Sequence, residues 1–262
     1  MKSPRPFNTP FAPEIGPNIG NGQDNRVYRL VNSAEKPHLR ESTGRVLKIN
    51  NEATPGSTRV RLEDDREAAW EGVRYKKNKY ELMKLFLDDF VPDSSFVLGE
   101  VTEGRKKRYA EYTIQDEVPR VSLSDLSEEQ KRDPKLINQV TSLASKLKYM
   151  YSVLGEVNAR TANGVSLDGK LDLGGVSDYV RAEELDHKFD ETDASSIINS
   201  NSSPNLLVNP ESMQLYCIDF DQGQWSDGHD EAKKMAETIV QRDRIAATAG
   251  KTAINSDQGQ LF

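Results

Sequence analysis

The sequence predicts an α+β fold in which strands dominate the first part of the chain and helices the rest. Short apolar runs bounded by turn-forming residues occur before residue 115, on both sides of one stretch of helical apolar spacing, residues 63–90. A second helical pattern covers residues 135–154. We therefore expect mostly antiparallel strands with one long helix, followed by a mainly helical part.

Composition limits the classes of protein that fit. The 262 residues are enough to bury a sizeable core. Lysine plus arginine number 35 and aspartate plus glutamate 42, so the formal charge is −7, which argues against a nucleic-acid or anionic-membrane partner. No apolar run approaches the roughly 20 residues of a membrane span, and the single Cys217 is expected in the core. These features predict a cytoplasmic protein.

A proline-rich start precedes two glycines. Residues 1–17 contain five prolines, which prevent a regular helix and predict an extended arm. Gly20 and Gly22 follow, and Val27 to Val31 has the composition of a strand. Because glycine lets a backbone approach a phosphate closely, these two residues are candidate nucleotide-binding positions. The alternative is an ordinary hairpin turn.

A lysine interrupts the next apolar run. Arg45 to Ile49 is predicted to be a strand with Lys48 at an otherwise apolar position. An ammonium group is costly there unless it meets anions, which nucleotide phosphates and a helix glutamate would supply. The alternative is an exposed lysine on an edge strand.

The remaining elements follow from local patterns. Residues 96–101 and 108–114 are predicted strands, and Asp230 is a candidate N-cap of a late helix. Residues 158–203 are expected to be a long loop, either a substrate lid or disordered. His187, within that segment, is expected to be solvated, and residues 250–262 form a flexible tail.

A late hairpin supplies the best candidate metal site. Two short apolar runs, residues 206–208 and 215–218, are separated by a turn-forming Asn-Pro-Glu-Ser segment. Asn205 enters the first strand and Asp219 leaves the second, so the hairpin brings an amide oxygen and a carboxylate to one edge. Oxygen ligands of this kind suit Mg²⁺. The alternative is a surface hairpin with a turn asparagine and a capping aspartate.

Taken in order, these motifs resemble those of the protein-kinase-like superfamily, closest in style to aminoglycoside-phosphotransferase-like and atypical kinases. The segment from Asn205 to Asp221 is similar to the catalytic-loop asparagine and the Asp-Phe-Gly segment. The resemblance implies a two-lobed fold with a hinge near residues 112–118, where backbone groups of residues 111–114 face an adenine edge. It also implies ATP and Mg²⁺ as cofactors. The implied cofactor-binding residues are Gly20, Gly22, Lys48 and Glu81, and the implied metal ligands are Asn205, Asp219 and Asp221.

Some of these assignments have alternatives or departures. Glu67 and Glu71 compete with Glu81 as the glutamate that pairs with the strand lysine. Asp221 stands where protein kinases have glycine. Ser200 stands where they have the catalytic-loop aspartate, so no catalytic base is assigned.

Two functions remain open. The first is an ATP- and Mg²⁺-dependent phosphotransferase acting on an unidentified small-molecule or protein hydroxyl, and the second is a pseudokinase that acts as a nucleotide-binding or protein-interaction module. Nucleotidyl transfer is a third possibility that no residue selects. The implied organisation is an arm over 1–17, an N-lobe over 18–116, a C-lobe over 117–249 with an insertion at 158–203, and a tail over 250–262.

Overall fold

The computed structural model describes residues 14–21, 25–31, 42–50, 61–103, 106–118, 121–160, 173, 175–183, 186–201, 203, 205–218 and 229–258. The chain divides into two compact units. Unit 1 comprises Met1–Tyr80 and Val91–Arg120, and unit 2 comprises Glu81–Phe90 and Val121–Phe262. Within the described residues the fold is mixed α+β, with a five-stranded antiparallel sheet and six α-helices.

The five-stranded sheet lies in unit 1. Its strands are β1 (Glu14–Asn21), β2 (Asn25–Val31), β3 (Ser42–Asn50), β4 (Ser94–Glu103) and β5 (Lys106–Asp116). They are arranged in the order β1-β2-β3-β5-β4, with every neighbouring pair antiparallel. The last strand in sequence is therefore inserted between β3 and β4. This makes β3 an interior strand.

One face of this sheet carries an apolar core. Side chains alternate between the faces of a strand, so Leu47 and Ile49 of β3 point to the same side. Leu47 lies opposite Ile114 and Ile49 lies opposite Tyr112, and all four side chains are buried. Burial of an aromatic or branched side chain contributes about 1.5–3 kcal/mol each. This face is therefore the main source of the sheet's stability.

The first helix, α1 (Arg66–Leu87), runs between β3 and β4 in sequence and contacts the opposite face of the sheet. Lys76 forms an ion pair with Glu111 of β5 at 3.0 Å, and both side chains are nearly buried. The Tyr80 ring packs on Phe96 of β4 with 5.5 Å between centroids. A short 3₁₀ turn, Asp88–Phe90, follows the helix.

The described helices of unit 2 after this turn are α2 (Glu128–Lys131), α3 (Pro134–Arg160), α4 (Gly175–Ala182), α5 (Glu191–Ser200) and α6 (His229–Gln258). Helix α3 is the central element of this group, because it contacts α4, α5 and α6. Its apolar residues recur at helical spacing and are buried: Leu136, Val140, Leu143, Ala144, Leu147, Met150, Val153, Leu154 and Val157.

Unit 2 also contains a three-stranded sheet of β6 (Val121–Ser122), β7 (Leu206–Val208) and β8 (Leu215–Cys217), in that order. Strands β7 and β8 form the predicted hairpin, and Cys217 is buried as expected. The short strand β6, which pairs with the outer side of β7, is absent from the sequence-based prediction.

The predicted strands at 27–31, 45–49, 96–101 and 108–114 and the helices at 63–90 and 135–154 are confirmed. Residues 14–17 of the expected extended arm belong to β1, whose backbone is itself extended. Three expectations are wrong in part. The long loop over 158–203 contains α4 and α5. Asp230 lies in the first turn of α6, and this helix continues to Gln258 where a flexible tail was expected.

Within the described helices, no segment combines the length and apolar character that a membrane crossing needs.

Candidate functional site

A row of paired residues crosses the sheet of unit 1 at Lys48. Lys48 lies opposite Val27 on one side and Thr113 on the other, and Val27 lies opposite Gly20 of β1. Directly paired residues of antiparallel strands share a face of the sheet. Gly20 and Lys48 are therefore aligned on one face, two strands or roughly 10 Å apart.

Lys48 occupies an interior position of the sheet. Strand β3 pairs with β2 and β5 on its two sides, so the alternative of an exposed lysine on an edge strand is wrong. The residue is half-buried between the buried Leu47 and Ile49, whose side chains point to the other face. Its face is also that of Glu111 and Thr113, because positions two apart in β5 point the same way. Lys48 thus shares a face with the residues that α1 contacts.

The glycine segment begins at an irregularity in β1. The pairing of β1 with β2 shifts register between Asn18 and Gly20, which leaves an extra residue in β1 at this point. The Gly20 N–H donates to Oδ1 of Asn18 at 3.0 Å. The irregular strand therefore holds Gly20 next to the turn that leads to β2. Gly22, the second candidate glycine, lies outside the described residues.

Asn205 stands at the open end of the β7–β8 hairpin. Its carbonyl oxygen accepts a hydrogen bond of 3.0 Å from the N–H of Ile218, and its own N–H donates to Oγ of Ser203 at 3.2 Å. The hairpin thus brings residues 205 and 218 together, while the predicted approach of Asn205 and Asp219 stays a prediction. The two candidate metal ligands Asp219 and Asp221 lie outside the described residues.

The loop before Asn205 is fixed by an asparagine that sequence reasoning missed. Asn201, which is buried, donates to the carbonyl oxygen of Leu173 at 3.2 Å and accepts from the N–H of Ser203 at 2.8 Å. The local sequence did not indicate this role, because the helix that Asn201 follows, α5, was itself not predicted. Among the described residues, no cluster of three or more His, Cys, Asp or Glu side chains is arranged to hold a metal ion.

Glu81 has an ion-pair partner in unit 2. Its carboxylate accepts from the Lys233 ammonium group of α6, and Lys233 also lies 3.7 Å from Glu237. This pair links the end of α1 to α6. The pairing of Glu81 with Lys48 stays a prediction, as do the alternatives Glu67 and Glu71.

Ser200 is the last residue of α5, and its hydroxyl donates to the carbonyl oxygen of Ile197 at 3.3 Å. Two carboxylates, Asp190 and Asp193, lie at the other end of this helix. Asp193 is seven positions before Ser200, or roughly 10 Å along the helix axis. Asp190 is the N-cap of α5 and Asp193 takes part in its capping box. Both therefore have structural roles.

His187 is bound to Asp193, so its expected solvation is wrong. Its Nε2 lies 2.8 Å from Oδ2 of Asp193, and its Nδ1 lies 3.5 Å from Glu183. The other oxygen of Asp193 accepts from the Tyr179 hydroxyl at 2.6 Å. The Asp-x-x-Asp spacing of the α5 capping box was the signal in the sequence that could have revealed an ordered segment here.

The backbone expected to face an adenine is used by the sheet. Residues 111–114 of β5 pair with β4, and residues 112–114 also pair with β3 on the other side. Further along, the N–H of Asp116 donates to the Asp93 carbonyl oxygen at 2.9 Å, and that of Glu117 donates to Gly44 at 2.8 Å. Residues 112–114 are therefore paired within the sheet on both sides, and an adenine contact in this segment stays a prediction.

No protein-family model and no curated protein matches this chain. Among solved structures, the one described as "PpkA-294 apo form" matches with a TM-score of 0.34 and 15% sequence identity. The match covers 92% of this chain and 66% of that chain.

Proposed function

We propose that this protein is an ATP- and Mg²⁺-dependent phosphotransferase of the kinase-like superfamily that acts on a hydroxyl group of a small molecule or a protein. The observation that supports it best is the row of Gly20, Val27, Lys48 and Thr113 in unit 1. A half-buried lysine on an interior strand, in line with the glycine-containing edge, provides a fixed positive charge beside backbone that a phosphate can approach closely.

Each residue has a role in this proposal. Lys48 contacts the α- and β-phosphates, and Glu81 orients it. The backbone at Gly20 and Gly22 approaches the phosphates. Mg²⁺, when bound, would neutralise phosphate charge, and its protein ligands would be Asn205, Asp219 and Asp221. The proposed fold is the two-lobed kinase-like one.

The amide of Asn205 fits a hard cation, because its carbonyl-type oxygen is a ligand that Mg²⁺ accepts. The hydrogen bond between Ile218 and Asn205 also supports the proposal, because Asp219 follows Ile218 directly in the chain. Two oxygen ligands, from Asn205 and Asp219, would then come from the same end of the hairpin although they are 14 positions apart in sequence.

A nucleotide-binding or protein-interaction module without transfer activity is the second candidate. Ser200 favours it, because a hydroxyl group that donates to the helix backbone does not act as a carboxylate base. Asp190 and Asp193 are engaged at the far end of α5. Positioning and electrostatic stabilisation supply most of phosphoryl transfer, so the missing base weakens the first candidate without excluding it.

Labelled ATP separates the two candidates. The full chain is incubated with Mg²⁺ and either γ-labelled or α-labelled ATP, and labelled products are followed on the protein itself and on a panel of acceptors. We expect label from the γ position only, and we expect Lys48→Met and Asp219→Asn to lower its transfer by about 100-fold or more. Label from the α position would indicate nucleotidyl transfer instead.

Lys107→Met is the matched control. Lys107 lies on β5, its side chain is 64% exposed, and it pairs with Glu100 at 2.9 Å. The substitution removes the same charge as Lys48→Met and should leave transfer unchanged. The binding module would be favoured if the chain binds ATP, Lys48→Met weakens that binding, and no acceptor becomes labelled. Absence of both binding and transfer would contradict both candidates.

A further inference from the structure

Unit 2 contains a groove whose walls come from α1, α3 and α6. Its volume is about 530 Å³, within the roughly 300–1,000 Å³ of small-molecule sites. The end of α1 and the middle parts of α3 and α6 contribute residues to it, so segments far apart in sequence converge there. None of these residues is among those proposed to bind nucleotide or metal.

The floor of the groove is apolar. Leu85 and Phe86 come from α1, and Val240 and Ala247 come from α6. Tyr149 of α3 adds an aromatic surface, since 39% of the residue is exposed. Its ring is held edge-on to Phe86, with 5.9 Å between centroids. Phe86 and Val240 are only 5% and 4% exposed, so Tyr149 supplies much of the accessible surface that an apolar ligand body would remove from water.

Three cationic side chains surround the floor, namely Lys84, Lys146 and Arg244. The Lys146 Nζ lies 5.3 Å from the centroid of the Phe90 ring, an arrangement that positions the ammonium group without neutralising it. Arg244 is exposed and lies one helical turn before Ala247. Because the chain as a whole has a net charge of −7, this local group of cations indicates an anionic ligand.

Two carboxylates also line the groove, Asp88 and Asp243. Asp243 is engaged on both oxygens: Oδ1 accepts from Arg242 at 2.9 Å and Oδ2 accepts from the Tyr149 hydroxyl at 3.0 Å. These two hydrogen bonds hold the pKa of Asp243 below its usual range. Arg242 in turn shares its charge with Glu156, whose Oε1 lies 2.9 Å from its Nη1. The lining itself contains three cations and two carboxylates, and Asp243 is the carboxylate that already has a cationic partner.

We infer that the groove binds a small amphipathic anion, with an apolar body and one carboxylate, phosphate or sulfonate group. The apolar body lies against Phe86, Tyr149 and Val240. The anionic group lies between Lys146 and Arg244, where it gains charge-assisted hydrogen bonds. The same apolar body without a charge would lose those contacts and bind more weakly.

Two fluorescent probes test the inference. 1-Anilinonaphthalene-8-sulfonate has an aromatic body and a sulfonate, and its fluorescence rises when it leaves water. N-Phenyl-1-naphthylamine has the same ring system without the sulfonate. Each is titrated into the folded full chain at low ionic strength, where charge contributes most. We expect the sulfonate to bind at one saturable site, roughly tenfold or more tightly than the neutral probe.

Variants locate the site. Lys146→Met combined with Arg244→Met should weaken sulfonate binding roughly tenfold, as expected for the loss of charge-assisted contacts. Ala247→Trp, at an exposed position, should fill the groove and weaken both probes. Arg132→Met combined with Lys135→Met removes the same charge at exposed positions of unit 2 outside the groove, and should change neither titration.

Competition identifies the anionic group. Displacement of the sulfonate probe by octanoate alone indicates an aliphatic carboxylate, and displacement by phenyl phosphate alone indicates an aryl phosphate; either result supports the inference. The inference is overturned if neither competes, if the neutral probe binds as tightly as the sulfonate, or if the Lys146/Arg244 variant binds like the wild type. Equal weakening in the Arg132/Lys135 control also overturns it.

Discussion

Asp193 organises the segment between α4 and α5. It is 8% exposed, and its carboxylate accepts hydrogen bonds from the Tyr179 hydroxyl, the His187 ring and the N–H of Asp190. The Tyr179 bond is the main cause of a lowered pKa for Asp193, and the same bond raises the pKa of Tyr179 to about 12. A buried carboxylate needs such donors because burial by itself disfavours its charged form.

We expect Tyr179→Phe to lower the free energy of unfolding at pH 7 by about 1.5–3 kcal/mol, because a hydrogen bond to a charged group is lost. A carboxylate whose pKa is lowered on folding contributes stability above its unfolded pKa and loses it as pH falls through its folded pKa. The difference between wild type and variant should therefore shrink below about pH 4. Urea unfolding measured from pH 7 down to pH 3 gives this difference.

Tyr216→Phe is the control for this prediction. Tyr216 is a half-buried tyrosine of β8, and its hydroxyl makes no hydrogen bond with the part of the chain that the structure describes. Its removal should change stability little at any pH. An equal loss in both variants, or a Tyr179 effect that persists unchanged in acid, would contradict the assigned role of Asp193.

At the scale of elements, helix α1 approaches the Glu111 side chain of β5 closely at Gly72. A Cβ atom added there would lie 2.0 Å from Oε1 of Glu111. Glu111 is held in place by its ion pair with Lys76, whose side chain is 10% exposed. Glycine in a helix interior is unfavourable by roughly 0.5–1 kcal/mol relative to alanine. The close contact explains why this position nevertheless carries glycine.

We expect Gly72→Ala to destabilise the protein by about 1–3 kcal/mol, because overpacking outweighs the gain in helix propensity. Gly155→Ala in α3 is the matched control, since a Cβ there meets no atom within 4 Å. It should stabilise by about 0.5–1 kcal/mol through propensity alone. Urea unfolding measures both, and stabilisation of similar size in the two variants would show that α1 does not require close approach at Gly72.

The elements that the sequence predicted well are those whose apolar spacing determines their structure. Helix α3 is an example, because its buried residues follow one stripe over 27 residues. Helices α4 and α5 were missed because they are short and lie in a polar segment. The start of α5 is set by the capping box of Asp190 and Asp193, a local polar signal with little apolar periodicity.

At the scale of the whole molecule, contacts distant in sequence decide what single motifs leave open. Whether Lys48 lay on an edge or an interior strand could not be read from its own segment. It depends on β5, which is inserted between β3 and β4 although it follows both in sequence. The predicted site could therefore be given as an ordered set of motifs, while the neighbours of Lys48 could be known only from the structure.

The ion pair of Glu81 and Lys233 joins residues 152 positions apart within unit 2. The Lys233 and Glu81 side chains are 18% and 36% exposed. A double-mutant cycle with Glu81→Gln and Lys233→Met should therefore give a coupling energy of about 0.5–1 kcal/mol. Chemical denaturation of the four proteins measures it. A coupling energy of zero would show that the pair contributes nothing measurable to stability.

The same variants test the proposed role of Glu81 toward Lys48. If Glu81 orients Lys48, Glu81→Gln should lower γ-phosphoryl transfer, whereas Lys233→Met should leave it near the wild-type rate. If Glu81→Gln leaves phosphoryl transfer unchanged, Glu81 does not belong to the proposed nucleotide site. Its ion pair with Lys233 would then remain its assigned role.

The single cysteine of the sequence, Cys217, lies on β8 without exposed surface, and burial raises the pKa of its thiol to about 12. Reaction with a maleimide needs an accessible thiolate. Such a reagent can therefore reach the sulfur only while β8 is transiently detached from its surroundings. The rate at which a maleimide labels Cys217 therefore measures how often this hairpin opens.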